Sequence, residues 1–327
     1  MSTYKKIEGR IRIAFLGCGL IAGKHAGRLN KFAEIDLYFA SRDESKAKEY
    51  ADKYKGKGIF SSYTAAIQSP DVSVVFICTP PDSHLALSIE AMTAGKHVIC
   101  EKPAFLHAAD FDRVEKLRLD NGVQLFIAEN YFYKPALKEL REVLSGEPIG
   151  DLKFLFFNAA KTQQVSSWRL DPGTAGGGAL FEGGIHWINC LSNLGLTLQS
   201  VTGFQPSTNG KPERSMQVVA TYEEGPIGTL LYSWEVNTVF KGLRISRIFG
   251  TKGSILFESN GLYIFVRGKK WKLIFPGIAD ISGAKAMLTD FMNALRTGED
   301  GAFNLQMARR DLELIEQAYQ TSIIQTK

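Results

Sequence analysis

Residues 12–16, Arg-Ile-Ala-Phe-Leu, run directly into Gly17-Cys18-Gly19-Leu20-Ile21-Ala22, and a helical pattern carried by Ala22, Ala26 and Leu29 follows. Strand, G-x-G-x-x-A and helix in that order demand a glycine turn at which backbone can approach a diphosphate over a helix N-terminus. Gly17, Gly19, Leu20 and Ile21 are therefore candidate dinucleotide contacts. His25, further along the same helix, is expected to be a helix histidine with no chemical role.

What surrounds that turn extends it into a fold. Strand patterns at Ile11 to Leu16, Ile35 to Ala40, Gly58 to Phe60, Val72 to Cys78, His97 to Cys100 and Gln124 to Ala128 alternate with helical ones at Leu20 to Lys31, Ser45 to Tyr54, His84 to Ala94 and Ala108 to Asn121. Gly95 and Gly122 stand as C-terminal stops. Val72 to Cys78 is almost wholly apolar, as befits a strand covered on both faces. Such alternation argues an α/β, doubly wound parallel sheet over residues 1–128. Beyond Pro135 comes one helix, Ala136 to Leu144, and then short β-type runs: Leu152 to Phe157, Gln217 to Tyr222, Gly228 to Glu235, Leu243 to Phe249, Ser254 to Phe257 and Leu262 to Val266. Helices at Ile281 to Arg296 and Gln306 to Ile324 close the chain. Residues 129–327 thus read as an α+β domain with a large, mostly antiparallel sheet, its C-terminal helices free to pack back on the first domain. Two domains are also what 327 residues lead one to expect.

In an open parallel sheet ligands sit outside the carboxyl ends of the strands, so residues at those ends are the ones to question. The second strand ends in Ser41-Arg42-Asp43. A hydroxyl and a forked cation suit a ribose 2′-phosphate, which favours NADP, whereas Asp43 keeps NAD open through its capacity to hold a 2′-hydroxyl. The fourth ends in Thr79-Pro80-Pro81-Asp82-Ser83-His84, where Thr79, Pro80 and His84 are candidate cofactor contacts; loop and cap roles account for Asp82, Ser83 and His84, and no catalysis is assigned to them. The fifth ends in the charged break Glu101-Lys102-Pro103, which makes Glu101 and Lys102 further cofactor contacts and Lys102 also the first candidate for chemistry.

A second constellation lies in residues 168–189, Trp168-Arg169-Leu170-Asp171-Pro172 and then a glycine-rich stretch reaching Glu182, His186 and Asn189. On a helix those three, at i, i+4 and i+7, share a face, and Glu182 can orient the His186 imidazole. Glycines at such density are costly in a helix unless backbone passes close to a ligand or to other backbone.

Composition excludes several alternatives. A net charge of +5 with no aromatic-interleaved basic run argues against nucleic acid, and no stretch approaches the apolar length of a membrane span. Met1 to Arg10 lacks an apolar h-region, so a cytoplasmic location is expected. The four cysteines, Cys18, Cys78, Cys100 and Cys190, show no C-x-x-C spacing; structural free thiols are expected and no metal site.

Taken together, G-C-G-L-I-A-G-K-H at 17–25, C-T-P-P-D-S-H at 78–84, A-G-K-H-V-I-C-E-K-P at 94–103 and W-R-L-D-P-G-T-A-G-G-G-A-L-F-E-G-G-I-H at 168–186 resemble the glucose-fructose oxidoreductase / inositol dehydrogenase (Gfo/Idh/MocA) family, as does Ala128-Glu129-Asn130-Tyr131 with Tyr133 and Pro135 at the domain junction. The resemblance implies an N-terminal Rossmann domain and an open-faced sheet domain. It further implies NAD(P)-dependent oxidation or reduction of a sugar, cyclic polyol or related carbonyl, in a homodimer or homotetramer built on the large sheet. Carried over by position, the family's lysine is Lys102 and its histidine His186. Glu182 stands where aspartate is usual and Asn189 where an acid is common, a departure that suggests a different substrate. Lys102, His186 and Glu182 are the expected catalytic group, with His186 as acid/base and Lys102 as donor to the substrate oxygen and cofactor positioner. Tyr131, Trp168, Arg169 and Asp171 are expected to wall the substrate. A dinucleotide-sensing protein without turnover, an enzyme that recycles its nicotinamide internally, and a reductase of a non-sugar ligand are the competing readings.

Overall fold

A computed structural model of the chain describes residues 4–165, 167–206, 212–238 and 243–324. Residue contacts divide it into two units, Met1–Ala128 with Met287–Arg309, and Glu129–Ala286 with Arg310–Lys327.

The first unit is built on six strands, β1 Ile11–Leu16, β2 Ile35–Ala40, β3 Gly58–Phe60, β4 Val74–Ile77, β5 His97–Glu101 and β6 Leu125–Ala128, all paired in parallel in the order β3-β2-β1-β4-β5-β6. Between them run α1 Leu20–Leu29, α2 Glu44–Tyr54, α3 Tyr63–Gln68, α4 His84–Thr93 and α5 Asp110–Asn121. The order reverses between β1 and β4, which opens a crevice at their carboxyl ends. Every residue of β4 is buried, and Phe15 stacks on Phe39 at 5.4 Å and on Phe76 at 5.0 Å, so three neighbouring strands share one aromatic layer. Each of these fully buried rings contributes roughly 1.5–3 kcal/mol by leaving water. Gly95 and Gly122 follow α4 and α5 with φ of +73° and +63°. Residues 287–309 join this unit, within which Phe291 stacks on Phe126 at 4.9 Å and the Gln124 side-chain amide donates to the Ala294 carbonyl at 2.8 Å.

The second unit carries β7 Leu152–Ala160, β8 Leu198–Gln205, β9 Ser215–Tyr222, β10 Ile227–Ser233, β11 Ile245–Gly250, β12 Gly253–Glu258, β13 Ile264–Arg267, β14 Trp271–Ile274 and β15 Ile323–Ile324, with α6 Pro135–Ser145, α7 Pro172–Ala175 and α8 Ile185–Ser192. Helix α9, Ala284–Thr297, and helix α10, Leu305–Gln320, run across the boundaries between units. Strand order is β14-β13-β12-β11-β7-β10-β9-β8-β15, antiparallel except for β7 with β10 and β8 with β15. Along β9 the side chains of Met216, Val218, Ala220 and Tyr222 are buried and their neighbours half-buried, the alternation of a sheet with one covered face. The other face presents a cross-strand row, Leu273, Phe265, Leu256, Arg247, Phe156, Thr229, Val219 and Thr202.

Helix α3 and strands β8, β14 and β15 are additions to what the sequence patterns suggest. The closing helix also ends early, because the Thr321 hydroxyl donates back to the Gln317 carbonyl at 2.7 Å and Ile323–Ile324 then pairs with β8.

One buried group gives the first unit a pH dependence. His97, 4% exposed at the start of β5, accepts the Gln124 N–H on Nδ1 at 3.1 Å, and burial, reinforced by the charge of Lys5, pushes its pKa down to about 4. The unfolded imidazole takes up a proton near its ordinary value, so the stability it contributes is complete above that value and is lost as pH falls to about 4. Urea denaturation at pH 7 and pH 4 should show about 3 kcal/mol less of this loss in His97→Asn, whose side-chain oxygen keeps the acceptor; equal losses in both proteins would refute the assignment.

Candidate functional site

The crevice of the first unit depends on Gly17. Its φ is +99°, and a Cβ there would meet the Cys78 carbonyl oxygen at 3.0 Å and Thr79 Cγ2 at 3.4 Å. Any side chain would be strained and would press the β1 and β4 ends apart. Gly19 is different: a Cβ on it meets nothing within 4 Å, so the space before it is open. Helix α1 starts there with no side-chain cap and no acid in its first turn. Its first N–H groups lack intrahelical partners, and the positive end of the helix dipole faces the opening, a combination that fits a diphosphate. Tyr50 donates its hydroxyl to the Gly19 carbonyl at 3.0 Å, and Leu20, 80% exposed, extends an apolar ledge beyond the turn.

At the end of β2, Asp43 is committed to α2. Its Oδ1 accepts the Ser45 N–H at 3.0 Å and the Ser45 hydroxyl at 2.5 Å, bonds that hold the carboxyl below its ordinary pKa. That carboxylate thus caps α2, beside the exposed Arg42 and the half-buried Ser41.

Two of the expected cofactor contacts have buried side chains with partners inside the protein. His84 is 1% exposed, with Nε2 2.8 Å from the Thr79 carbonyl and Nδ1 2.9 Å from the Pro103 carbonyl; burial lowers its pKa, and the ring braces two strand-end loops from beneath. Glu101 is 6% exposed, accepting from His25 Nε2 at 2.5 Å and from the Lys102 N–H at 3.1 Å. Burial alone would raise its pKa, but the hydrogen bond and charge of His25 and the charge of Lys102 bring it below the ordinary value. Both side chains tie strand-end backbone together beneath the crevice. Thr79 keeps its place at the β4 end, its hydroxyl bonded by Ser83 at 2.6 Å, beside Pro80, and half-buried Lys102 follows β5 directly.

In the second unit the histidine is held by a carboxylate that local spacing in the sequence does not single out. Glu129, 2% exposed, accepts from His186 Nδ1 at 2.6 and 2.8 Å through its two oxygens and from the Tyr131 N–H at 2.9 Å. The Tyr131 ring lies parallel to the imidazole, centroids 4.3 Å apart at 11°, with the Lys134 ammonium 4.3 Å from the Tyr131 centroid. Burial depresses the Lys134 pKa. Glu129 thus fixes the tautomer with hydrogen on Nδ1 and leaves Nε2 as the ring's acceptor nitrogen.

Glu182 does not orient His186. Residues 180–184 form a π turn, and α8 begins only at Ile185, so the wider turn breaks the i, i+4 stacking of a continuous α-helix. Glu182 is ion-paired instead with Arg169 at 3.0 Å, and that guanidinium lies 4.4 Å from the Trp168 ring. The glycines here admit protein side chains: a Cβ on Gly178 would overlap Glu213, and one on Gly183 would overlap the Tyr232 hydroxyl. Asp171, expected on the substrate wall, caps α7 by accepting from Thr174 Oγ1 at 2.5 Å and Gly173 N at 3.3 Å. Asn189 is fully buried and donates to Asp311 Oδ2 at 2.6 Å, so packing accounts for the amide and it carries no argument about substrate. Among the described residues no cluster of His, Cys, Asp or Glu is arranged to hold a metal, and no helix is long and apolar enough to cross a membrane.

Residues 11–129 match the family model described as an oxidoreductase family with an NAD-binding Rossmann fold, and residues 137–256 match the Gfo/Idh/MocA C-terminal domain. The chain is 33% identical over 186 residues to trans-1,2-dihydrobenzene-1,2-diol dehydrogenase of Sus scrofa, a stretch that is 57% of this chain and 52% of that enzyme. It is 27% identical over 290 residues to levoglucosan dehydrogenase of Pseudarthrobacter phenanthrenivorans, 74% of this chain and 73% of that one. A solved levoglucosan dehydrogenase in complex with NADH and levoglucosan superimposes with a TM-score of 0.83 at 20% identity over 96% of this chain and 98% of that one, a likeness of fold. With one model spanning the parallel sheet of the first unit and the next most of the strands of the second, the chain belongs to the Gfo/Idh/MocA oxidoreductase family.

Proposed function

We propose that this chain is an NAD(P)-dependent oxidoreductase that interconverts an alcohol and a carbonyl on a sugar, cyclic polyol or diol, with NADP the preferred dinucleotide. The observation that carries the reading is the Glu129–His186 pair, a buried carboxylate that gives a partly exposed imidazole one fixed tautomer in a chain whose first unit is a dinucleotide fold. Bound nicotinamide supplies the hydride acceptor or donor.

The chain's own residues bind and move protons. The first turn of α1 holds the diphosphate, and Ser41 with Arg42 meets the ribose 2′-phosphate. In the oxidising direction His186 Nε2 takes the proton of the reacting hydroxyl, while Glu129 keeps Nδ1–H in place and stabilises the imidazolium formed. Lys102 donates a hydrogen bond to the substrate oxygen and positions the bound dinucleotide. Tyr131, Trp168 and Arg169 offer the aromatic and polar surface that a sugar face prefers.

The proposal includes self-association and a cytoplasmic location. Phe154, Phe249, Trp271 and Leu273 are 59%, 37%, 70% and 54% exposed, and together with the cross-strand row they support a second copy of the chain covering the open sheet face. Four free thiols accord with a reducing compartment.

Steady-state assays at 340 nm over a panel of sugars, polyols and cyclic diols test the reading. Lys102→Met and His186→Ala are each expected to lower turnover about 10²-fold or more, and retention of activity within a few-fold would remove these roles. Glu129→Gln should lower kcat on the order of 10²-fold and exceed the effect of Glu182→Gln; the reverse order would return the orienting role to Glu182. Arg42→Ala should reduce preference for NADP over NAD by about tenfold, and an unchanged ratio would exclude the 2′-phosphate contact.

A further inference from the structure

His25 belongs to the diphosphate-binding helix and touches the strand end that carries Lys102. It lies on α1 five residues after Leu20, roughly 7.5 Å along the axis from the first turn, and is 3% exposed. Its ring packs on Phe76 of β4 at 4.8 Å, and Phe76 stacks on Phe15 of β1, so the imidazole is wedged under the split between those strands. Nε2 is 2.5 Å from Glu101 Oε1, whereas Nδ1 is buried without a hydrogen-bond partner. That places the hydrogen on Nε2 and makes the Glu101 bond the ring's one strong polar engagement. As packing, such a residue is a poor choice: a leucine would fill much of the space without leaving a buried nitrogen unsatisfied. Glu101, at the last position of β5, uses its other oxygen to accept the Lys102 N–H at 3.1 Å, which restricts the direction in which the chain leaves the strand.

We propose that His25 is a positioning residue: it clamps Glu101 and, through it, the backbone of Lys102 to α1, so that loading the start of α1 with the dinucleotide diphosphate and aligning Lys102 become a single event. The proposal rests on the NAD(P) reading above and on residues of the first unit alone. His25 touches neither cofactor nor substrate in this scheme, and its effect on binding passes through Lys102.

A residue that acts through another is non-additive with it. Dissociation constants for NADPH and NADH, read from nicotinamide fluorescence without substrate, are measured for wild type, His25→Leu, Lys102→Met and the double variant, with thermal melts of each. His25→Leu is expected to weaken binding about tenfold in the wild-type background and less than twofold in the Lys102→Met background. His25→Gln, which can present an N–H towards Glu101, is expected to recover affinity to within threefold. Equal losses in both backgrounds, or no loss in either, overturn the proposal. Should His25→Leu fail to fold, Glu101→Gln takes its place in the same cycle under the same criterion. A wild-type protein that binds NADPH but turns over no alcohol or carbonyl refutes the proposed activity, while the clamp still stands or falls on the binding cycle.

Discussion

Gly17 has the Cys78 carbonyl oxygen 3.0 Å from the point where a side chain would begin, and this near-contact lets the ends of β1 and β4 lie side by side while the chain turns into α1. With β1 and β4 held that close, the first N–H groups of α1 face open space over Gly19. A bulkier residue would move the helix start away from the crevice, and orphan donors would then face water rather than a ligand. The stacked Phe39, Phe15 and Phe76 beneath the turn keep the three strands in register, so the geometry of the turn is inherited from the core.

Two neighbouring strands then end in the same device. Glu101 closes β5 and Glu129 follows β6; each is a buried glutamate that accepts from a histidine and from a backbone N–H just beyond it. A carboxylate used this way is satisfied by two donors, so burial costs less than it would for an isolated charge. The two histidines differ in what remains of them. His25 has its second nitrogen buried, which suits a clamp, whereas the His186 side chain keeps 15% of its surface exposed.

Legibility follows the range of the interactions. The Gly17 to Ala22 turn, the alternation of strands and helices in the first unit apart from α3, and the stops at Gly95 and Gly122 leave local patterns, and the sequence shows them. Glu129 stands at the domain junction with nothing nearby to mark its role, because its partner lies 57 residues away and Glu182, four residues from His186, is a local rival. The π turn is equally hidden: Gly178 and Gly183 suggest a ligand, and only the fold shows Glu213 and Tyr232 occupying that space. Strand β8 is hard to see because Gly203 interrupts its pattern; a side chain there would overlap the Ala318 carbonyl. Strand β14, an exposed edge with little buried surface, has too weak a pattern to stand out.

Asn189 illustrates how a departure from a family pattern acquires a physical cause. Asp311 is fully buried behind α8, and burial, only partly offset by the Asn189 hydrogen bond and the Arg310 charge, pushes its pKa up to about 7. An acid at position 189 would set a second carboxylate within hydrogen-bonding distance of one that already ionises with difficulty, and two such groups cannot both hold their charge without water. An amide supplies a donor, as seen in the 2.6 Å bond to Asp311, and adds no charge. The bond between Asn189 on α8 and Asp311 on α10 thus joins two positions 122 residues apart through a donor that adds no charge.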